Sequence, residues 1–346
     1  MLSDIRVTPA PHISAALSTR RVMGDVIIGL CFPLAAAAHY YRWFALTLTG
    51  TCVISCVVTE FLCNLLRKKP KAVQSLGDLS AVITGMILAF SVPPALPLWA
   101  AVIGSVFAIA IGKMVFGGLG ANIFNPAMIG RAFLTASFGM LMTTWTVPAT
   151  MDKKMPQISA SNTVAMTQAT PLAWSKQAVK TRNIQDGGRV PVSTANDMLE
   201  DLFRGQRGGC LGETSAVALI IGGAYLLLRR TISWHIPVAV LGSAFVFSSV
   251  CYLINGTAYA SPLFHLTAGG MLIGAFFIAT DPVTSPLTGT GMCIFGAGVG
   301  AVTMLIRTAG EYPEGMMYAV LLMNSVTPLI DKLCKLTPAG GKPNVQ

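Results

Sequence analysis

The sequence predicts an all-α polytopic membrane protein of about ten transmembrane helices, built as two inverted five-helix repeats with broken helices. Three observations predict it. Only 11% of the 346 residues are charged and 53% are apolar, with a mean hydropathy of +0.65, whereas an ordinary soluble chain is roughly a quarter charged. Apolar runs recur ten times along the chain. Basic residues in the short connections fall almost entirely on one side of the topology those runs define. Hydrocarbon therefore replaces water over much of the surface. The net charge of +10 belongs to loops flanking a lipid bilayer, and no nucleic-acid partner is expected.

The runs lie at 22–38, 43–66, 79–91, 96–115 and 127–147, then at 214–228, 235–254, 262–280, 292–306 and 315–333. Most approach the ~20 residues that cross a ~30 Å hydrocarbon core. The run at 79–91 is shorter and stops before Pro93-Pro94, so at ~1.5 Å per residue it predicts a half helix. Thr19-Arg20-Arg21 followed by a run ending in Ala35-Ala36-Ala37-Ala38 imitates a secretory signal. The long stretch before the run and the even helix count favour an uncleaved first helix. The predicted organisation is a cytoplasmic N-terminus at 1–21, a first membrane repeat at 22–147, an outer loop at 148–212, a second repeat at 213–333 and a cytoplasmic tail at 334–346.

Orientation follows from the basic residues of termini and short loops. With the N-terminus in the cytoplasm, that side collects Arg6, Arg20, Arg21, Arg67, Lys68, Lys69, Lys71, Lys113, Arg131, Arg229, Arg230, Lys332, Lys335 and Lys342, against Arg42 and Arg307 on the other. The polar connection 148–212 then faces outward. The halves also echo each other: Leu79-Ser80-Ala81 recurs as Leu266-Thr267-Ala268, and Asn125-Pro126 is matched by Tyr312-Pro313, both 187 positions on. An odd number of helices per half inverts the second copy, and the midplane between such repeats is a usual place for a ligand or ion.

Eight cysteines form no C-x-x-C pair and the four histidines no ligand spacing, so neither zinc nor an iron–sulfur cluster has its usual frame. Asp25, Glu60, Glu213 and Glu311 lie near run ends and read as solvated or paired termini. Three segments carry candidate chemistry. Phe116-Gly117-Gly118-Leu119-Gly120-Ala121-Asn122-Ile123-Phe124-Asn125-Pro126 completes neither a Rossmann turn nor a P-loop. It offers glycines that let backbone approach a flat ligand and two amides, Asn122 and Asn125, suited to a polar ring edge; a Gly-rich turn capped by Asn before Pro126 is the alternative. Asp281, in Thr280-Asp281-Pro282-Val283-Thr284, reads equally as a cation or hydroxyl ligand at a membrane helix end and as ordinary turn chemistry. Thr167-Gln168-Ala169-Thr170-Pro171-Leu172, in the outer loop, has no base beside its hydroxyls and on composition alone is a polar turn.

Taken in order, Gly-Gly-Leu-Gly-x-Asn-x-Phe-Asn-Pro-Ala-Met-Ile-Gly at 117–130, Thr-Gln-Ala-Thr-Pro-Leu at 167–172, His-Ile-Pro at 235–237, Gly-Ala-Phe-Phe-Ile-x-Thr-Asp-Pro-Val-Thr at 274–284 and Ala-Val-Leu-Leu-x-Asn at 319–324 resemble one family over nearly the whole chain. It comprises the RnfD component of the Rnf complex, the bacterial ion-translocating ferredoxin:NAD oxidoreductase, and the corresponding NqrB component of the sodium-translocating NADH:quinone reductase. The resemblance implies flavin mononucleotide (FMN) joined through its phosphate to a Thr hydroxyl, which falls on Thr170. Gln168 stands where the relative usually has Gly, and Thr167 where it has Ser; both bear on recognition by the flavin transferase and leave the acceptor untouched. A second, non-covalent flavin, riboflavin, is implied at Asn122 and Asn125, with Gly118 and Gly120 beside it.

The implied role is electron relay in the inner membrane, with Thr170 an anchor on the periplasmic side and no catalytic side chain. Redox change is coupled to Na⁺ or H⁺ movement, for which Asp281 is one candidate residue. The implied partners are the other Rnf components, RnfA, RnfB, RnfC, RnfE and RnfG, above all the flavin protein RnfG, and a flavin transferase. A channel or secondary transporter on the same inverted-repeat fold, or a purely scaffolding component, is the alternative class, and neither predicts bound flavin.

Overall fold

The computed structural model describes residues 18–67, 76–144, 172, 209–256, 259–310, 312 and 314–335, and all regular structure among them is helical. Thr170 and nearly all of the outer loop lie outside the described residues. The elements are α1 (Thr19–Tyr41), α2 (Trp43–Leu66), α3 (Ser80–Phe90), α4 (Leu98–Ile109) with a π-helical extension Ala110–Met114, α5 (Pro126–Ser137) and α6 (Gly139–Met142). A 3₁₀ turn, Leu211–Glu213, then leads into α7 (Ala216–Leu228), α8 (His235–Ile254), α9 (Pro262–Thr267), α10 (Met271–Ile273) with a π-helical extension Gly274–Ile278, α11 (Gly289–Ala309) and α12 (Met316–Leu333).

Helix starts follow local chemistry. Ser18, Asn125, Ser215, Ser261 and Thr288 each accept a backbone N–H of the first turn behind them, and Pro126 and Pro262 occupy the first helical position, where no N–H is needed. α1, α2, α8 and α11 are long and apolar enough to cross a membrane. Their outward faces carry large exposed apolar side chains such as Phe32, Ile54, Leu62, Phe245, Val246 and Leu305, the surface that lipid covers and water would not tolerate.

Three runs depart from continuous helices. The 79–91 run is the predicted half helix, eleven residues long, or about 16 Å. The 127–147 run breaks at Phe138 after twelve residues. The 262–280 run is interrupted at Ala268-Gly269-Gly270, where Gly269 takes φ +68°. A side chain at Gly269 would also collide with Glu314, so only glycine serves there. The helices that begin again after matching loops start 190 to 192 positions apart (43 and 235, 80 and 271, 98 and 289, 126 and 316). The spacing therefore exceeds the 187 read from the sequence, already by five residues between the helices that start at 43 and 235.

Chain direction places the starts of α1, α3, α8 and α11 and the ends of α2, α4, α7 and α12 at one end of the bundle, here the near end. Exposed Arg20, Arg21, Arg67, Arg229, Arg230, Lys332 and Lys335 collect there, against exposed Arg42 at the far end. Arg131 does not belong to that near-end set: its guanidinium is buried and donates to Cys210 Sγ at 3.7 Å.

The core is one apolar cluster running through both halves, from Leu30 and Leu48 through Phe90 and Met128 to Phe295 and Val320. α11 crosses α8 at Gly296 and Gly300. A Cβ at Gly296 would lie 2.9 Å from Ile236 O, and one at Gly300 would overlap Ser243 Oγ and Val240 O. Small residues four apart let membrane helices approach at backbone distance. Gly300→Leu is expected to cost about 1–3 kcal/mol by overpacking, read as an earlier thermal transition of the detergent-solubilised protein; an unchanged transition would refute this packing.

Candidate functional site

A cavity of about 750 Å³, open mouth included, lies at the near end where α1, α3, α4, α5, α7 and the C-terminal end of α10 converge. Ile83, Ile87, Phe276 and Phe277 provide apolar walls, while Ser80, Lys113, Asn122, Asn125 and Asp281 supply polar groups. Three of the sequence candidates, Asn122, Asn125 and Asp281, from segments more than 150 positions apart, thus meet at one site.

The two amides play different parts. Asn125 Oδ1 accepts from Ala127 N at 3.1 Å and Met128 N at 3.3 Å, capping α5, and its Nδ2 donates to Ile278 O at 3.4 Å, at the C-terminal end of α10. One amide hydrogen of Asn125 remains for a ligand. Asn122 Nδ2 donates to Phe124 O at 3.2 Å, while its Oδ1 is buried with no partner among the described residues. A buried acceptor left without a donor costs about 1–3 kcal/mol, a cost removed by a ligand that donates a hydrogen bond. Gly117, Gly118 and Gly120 have φ of +129°, +110° and +90°, so they shape the loop that carries Asn122; Gly118 and Gly120 do not themselves line the cavity.

Asp281 folds back on its own loop: Oδ1 accepts from Val283 N at 3.3 Å and Oδ2 from Thr284 Oγ1 at 3.1 Å. Both open readings of this residue survive, since the turn is made and the half-buried carboxylate still lines the cavity. The floor beneath it is pinned by Asn324 of α12, whose Oδ1 accepts from Asn125 N at 3.2 Å and whose Nδ2 donates to Thr284 O at 3.1 Å.

Asp25 and Glu60, read from the sequence as solvated or paired termini, are paired, but sequence reasoning missed that these charges and Lys113 are buried. Lys113 Nζ donates to both carboxylate oxygens of Glu60 at 2.8 Å and to Ser80 Oγ at 2.6 Å, tying α4, α2 and α3 together. Their position inside apolar runs was the available signal; Lys113 was instead grouped with loop residues. Asp25 pairs with Arg229 at 3.2 Å and accepts from Thr231 Oγ1 at 3.2 Å, closing the cavity between α1 and α7.

A second polar cluster occupies the far end. Arg307 donates to His265 O at 2.6 Å and Ala268 O at 3.0 Å and pairs with Glu314, which accepts from Gly270 N at 2.8 Å and Met316 N at 3.1 Å. Glu213 and Cys210 form the adjoining turn, with Arg131 reaching the thiol. Leu172, two positions beyond Thr170, is buried against Ala260, Phe264 and Ala268 beside this cluster. No group of His, Cys, Asp and Glu among the described residues could hold a metal ion.

Comparison with known proteins follows the same lines. Residues 6–340 match the profile of the NQR2, RnfD, RnfE family. The chain is 44% identical over 335 residues to the D component of the Na(+)-translocating ferredoxin:NAD(+) oxidoreductase complex of Acetobacterium woodii, covering 96% of this chain and 94% of that one. It is 40% identical to the D component of the proton-translocating ferredoxin:NAD(+) oxidoreductase complex of Clostridium ljungdahlii, covering 94% and 93%. With the D component of the ion-translocating oxidoreductase complex of Halorhodospira halophila it shares 39% identity, covering 93% and 91%.

The division of labour between the amides is testable. Asn125→Ala removes a cap and leaves buried N–H groups unpaired, an expected loss of about 1–2 kcal/mol. Asn122→Ala gives up one hydrogen bond to its own loop and is expected to cost less. Thermal unfolding of both variants in detergent checks this, and a larger loss for Asn122→Ala would contradict it.

Proposed function

Because this chain belongs to the NQR2, RnfD, RnfE family, we propose that it is the flavin-carrying membrane component of an ion-translocating ferredoxin:NAD oxidoreductase, relaying electrons in a process coupled to Na⁺ or H⁺ movement. The observation that carries the reading is the near-end cavity. Its walls of Phe276, Phe277, Ile83 and Ile87 suit a planar apolar ring, and Asn122 Oδ1 is a buried acceptor in want of a donor. An isoalloxazine has that shape, an N–H edge, and one- or two-electron chemistry when bound. Asn122 would accept from that edge, the spare hydrogen of Asn125 would donate to it, and the aromatic pair would exclude water. FMN is proposed at Thr170 and riboflavin in the cavity.

The topology proposed with this reading has ten helical segments in two inverted repeats, α1–α6 and α7–α12, with the near end in the cytoplasm of a bacterial inner membrane. Support comes from the opposite directions of α1 and α7, the matched breaks at α3 and α10, and the exposed basic residues of the near end. The flavin loop then faces the periplasm, where RnfG is the proposed neighbour, with RnfA, RnfB, RnfC and RnfE completing the complex and a flavin transferase maturing the chain. The transporter reading is weaker: beyond the cavity, fully buried Leu88, Phe90 and Met128 belong to the apolar core.

Denaturing-gel flavin fluorescence tests the covalent part. With a flavin transferase co-expressed, the wild-type chain is expected to fluoresce and Thr170→Ala to be dark. A dark wild type beside a working transferase control would return the chain to the scaffold or transporter class.

A further inference from the structure

Among the described residues two stretches of π-helix occur, and both serve the same cavity: Lys113 comes from Ala110–Met114, and Phe276 and Phe277 from Gly274–Ile278. A π turn inserts a residue into the helical register and re-aims the side chains around it, a device frequent at functional sites. Here it brings the one basic side chain of the cavity lining inward. Lys113 is 1% exposed, held by Glu60 and Ser80, and Ser80 Oγ in turn donates to Asp78 Oδ1 at 2.5 Å. A lysine that served only to join α2 to α4 would have no need to line a cavity, and an apolar side chain of similar volume would make that joint without desolvating a charge.

We propose that Lys113 sets the electron affinity of the flavin in this cavity: its ammonium is a fixed positive charge beside a ring that becomes more negative on reduction, and Glu60 holds and attenuates that charge. The inference rests on the reading that the cavity holds a flavin. The charged groups around Lys113 are Glu60 and Arg67 at the end of α2, the latter donating to Met114 O at 3.0 Å, Asp78 through Ser80 ahead of α3, and Asp281 at the end of α10; Asp25 and Arg229 neutralise each other behind Thr231. One electron delivered by a reduced flavin of a neighbouring protein in the complex adds one negative charge to the site. No bond to Lys113 forms or breaks. In a site that excludes water, two charges interact several-fold more strongly than in bulk solvent, so the ammonium favours the reduced form.

The test is an anaerobic spectroelectrochemical titration of the non-covalent flavin in the full-length chain, in a Thr170→Ala background so that no tethered flavin contributes. Lys113→Met is expected to lower the equilibrium constant for the first electron at least tenfold, about 59 mV. Lys113→Arg should stay near the parent value, and Glu60→Gln should shift the potential the opposite way to Lys113→Met. A flavin retained by Lys113→Met at unchanged potential would overturn the proposal, and so would shifts of the same sign in Lys113→Met and Glu60→Gln, the mark of a merely structural joint. Should Lys113→Met fail to fold, Glu60→Gln still decides: a raised potential supports the proposal, and an unchanged or lowered one overturns it. Absence of non-covalent flavin from the Lys113-containing parent would instead defeat the cavity reading itself.

Discussion

Two helices that stop inside the bundle, α3 and α10, impose the condition around which the rest is arranged. In hydrocarbon a freed backbone group costs several kcal/mol unless protein satisfies it. Each of the four ends is met by a specific group. At the start of α3, Ser80 N donates to Asp78, and at its finish Ser91 O accepts from Cys210 Sγ and Val92 O from Leu211 N. At the start of α10, Gly270 N donates to Glu314, and at its finish Ile278 O accepts from Asn125. The finishing contacts come from distant parts of the chain: Cys210 and Leu211, ahead of α7, complete α3, and Asn125 of the first half completes α10. Distant segments therefore interlock through the very groups that would otherwise be unsatisfied.

This condition also decides where polar chemistry can sit. Helix ends need polar partners, those partners need counter-charges, and the two buried clusters grow from there: Ser80, Lys113 and Glu60 near one end, and Gly270, Glu314 and Arg307 near the other. Removing one member of such a pair leaves an uncompensated charge and costs about 3–5 kcal/mol. Between the clusters the core is dry and tightly packed. The near-end cluster adjoins open volume and an unpaired acceptor at Asn122, whereas the far-end cluster pairs Arg307 with Glu314 and leaves Arg307 Nε and His265 Nδ1 without hydrogen-bond partners among the described residues. Open volume marks the near end as the candidate binding site, and Leu172 packs beside the far-end cluster.

Much of this was legible in the sequence. The short run before Pro93-Pro94 announced a half helix, and the mean charge content announced lipid. Asn122, Asn125 and Asp281 were singled out for their residue types and do meet at one cavity. The second break was not legible, because Ala268-Gly269-Gly270 reads as small residues inside an apolar run and only the positive φ of Gly269 marks it. Arg131 and Lys113 look like loop cations when counted along the chain, since a one-dimensional reading does not show a long side chain folding back into the bundle. Asn324 sits mid-helix in α12, where an amide carries no local signal; its role appears only when Thr284 and Asn125 come to it from elsewhere. Local chemistry was readable, and pairing between distant segments was not.

The most direct measurement is a cryo-electron microscopy map of the intact complex purified without added flavin, inspected at the cavity between Phe276, Phe277, Ile83 and Asn122. The account predicts planar tricyclic density there, with a hydrogen-bonding edge at Asn122 Oδ1 and Lys113 beside it. A cavity filled by a lipid tail, with the flavins of the complex bound elsewhere, would contradict it.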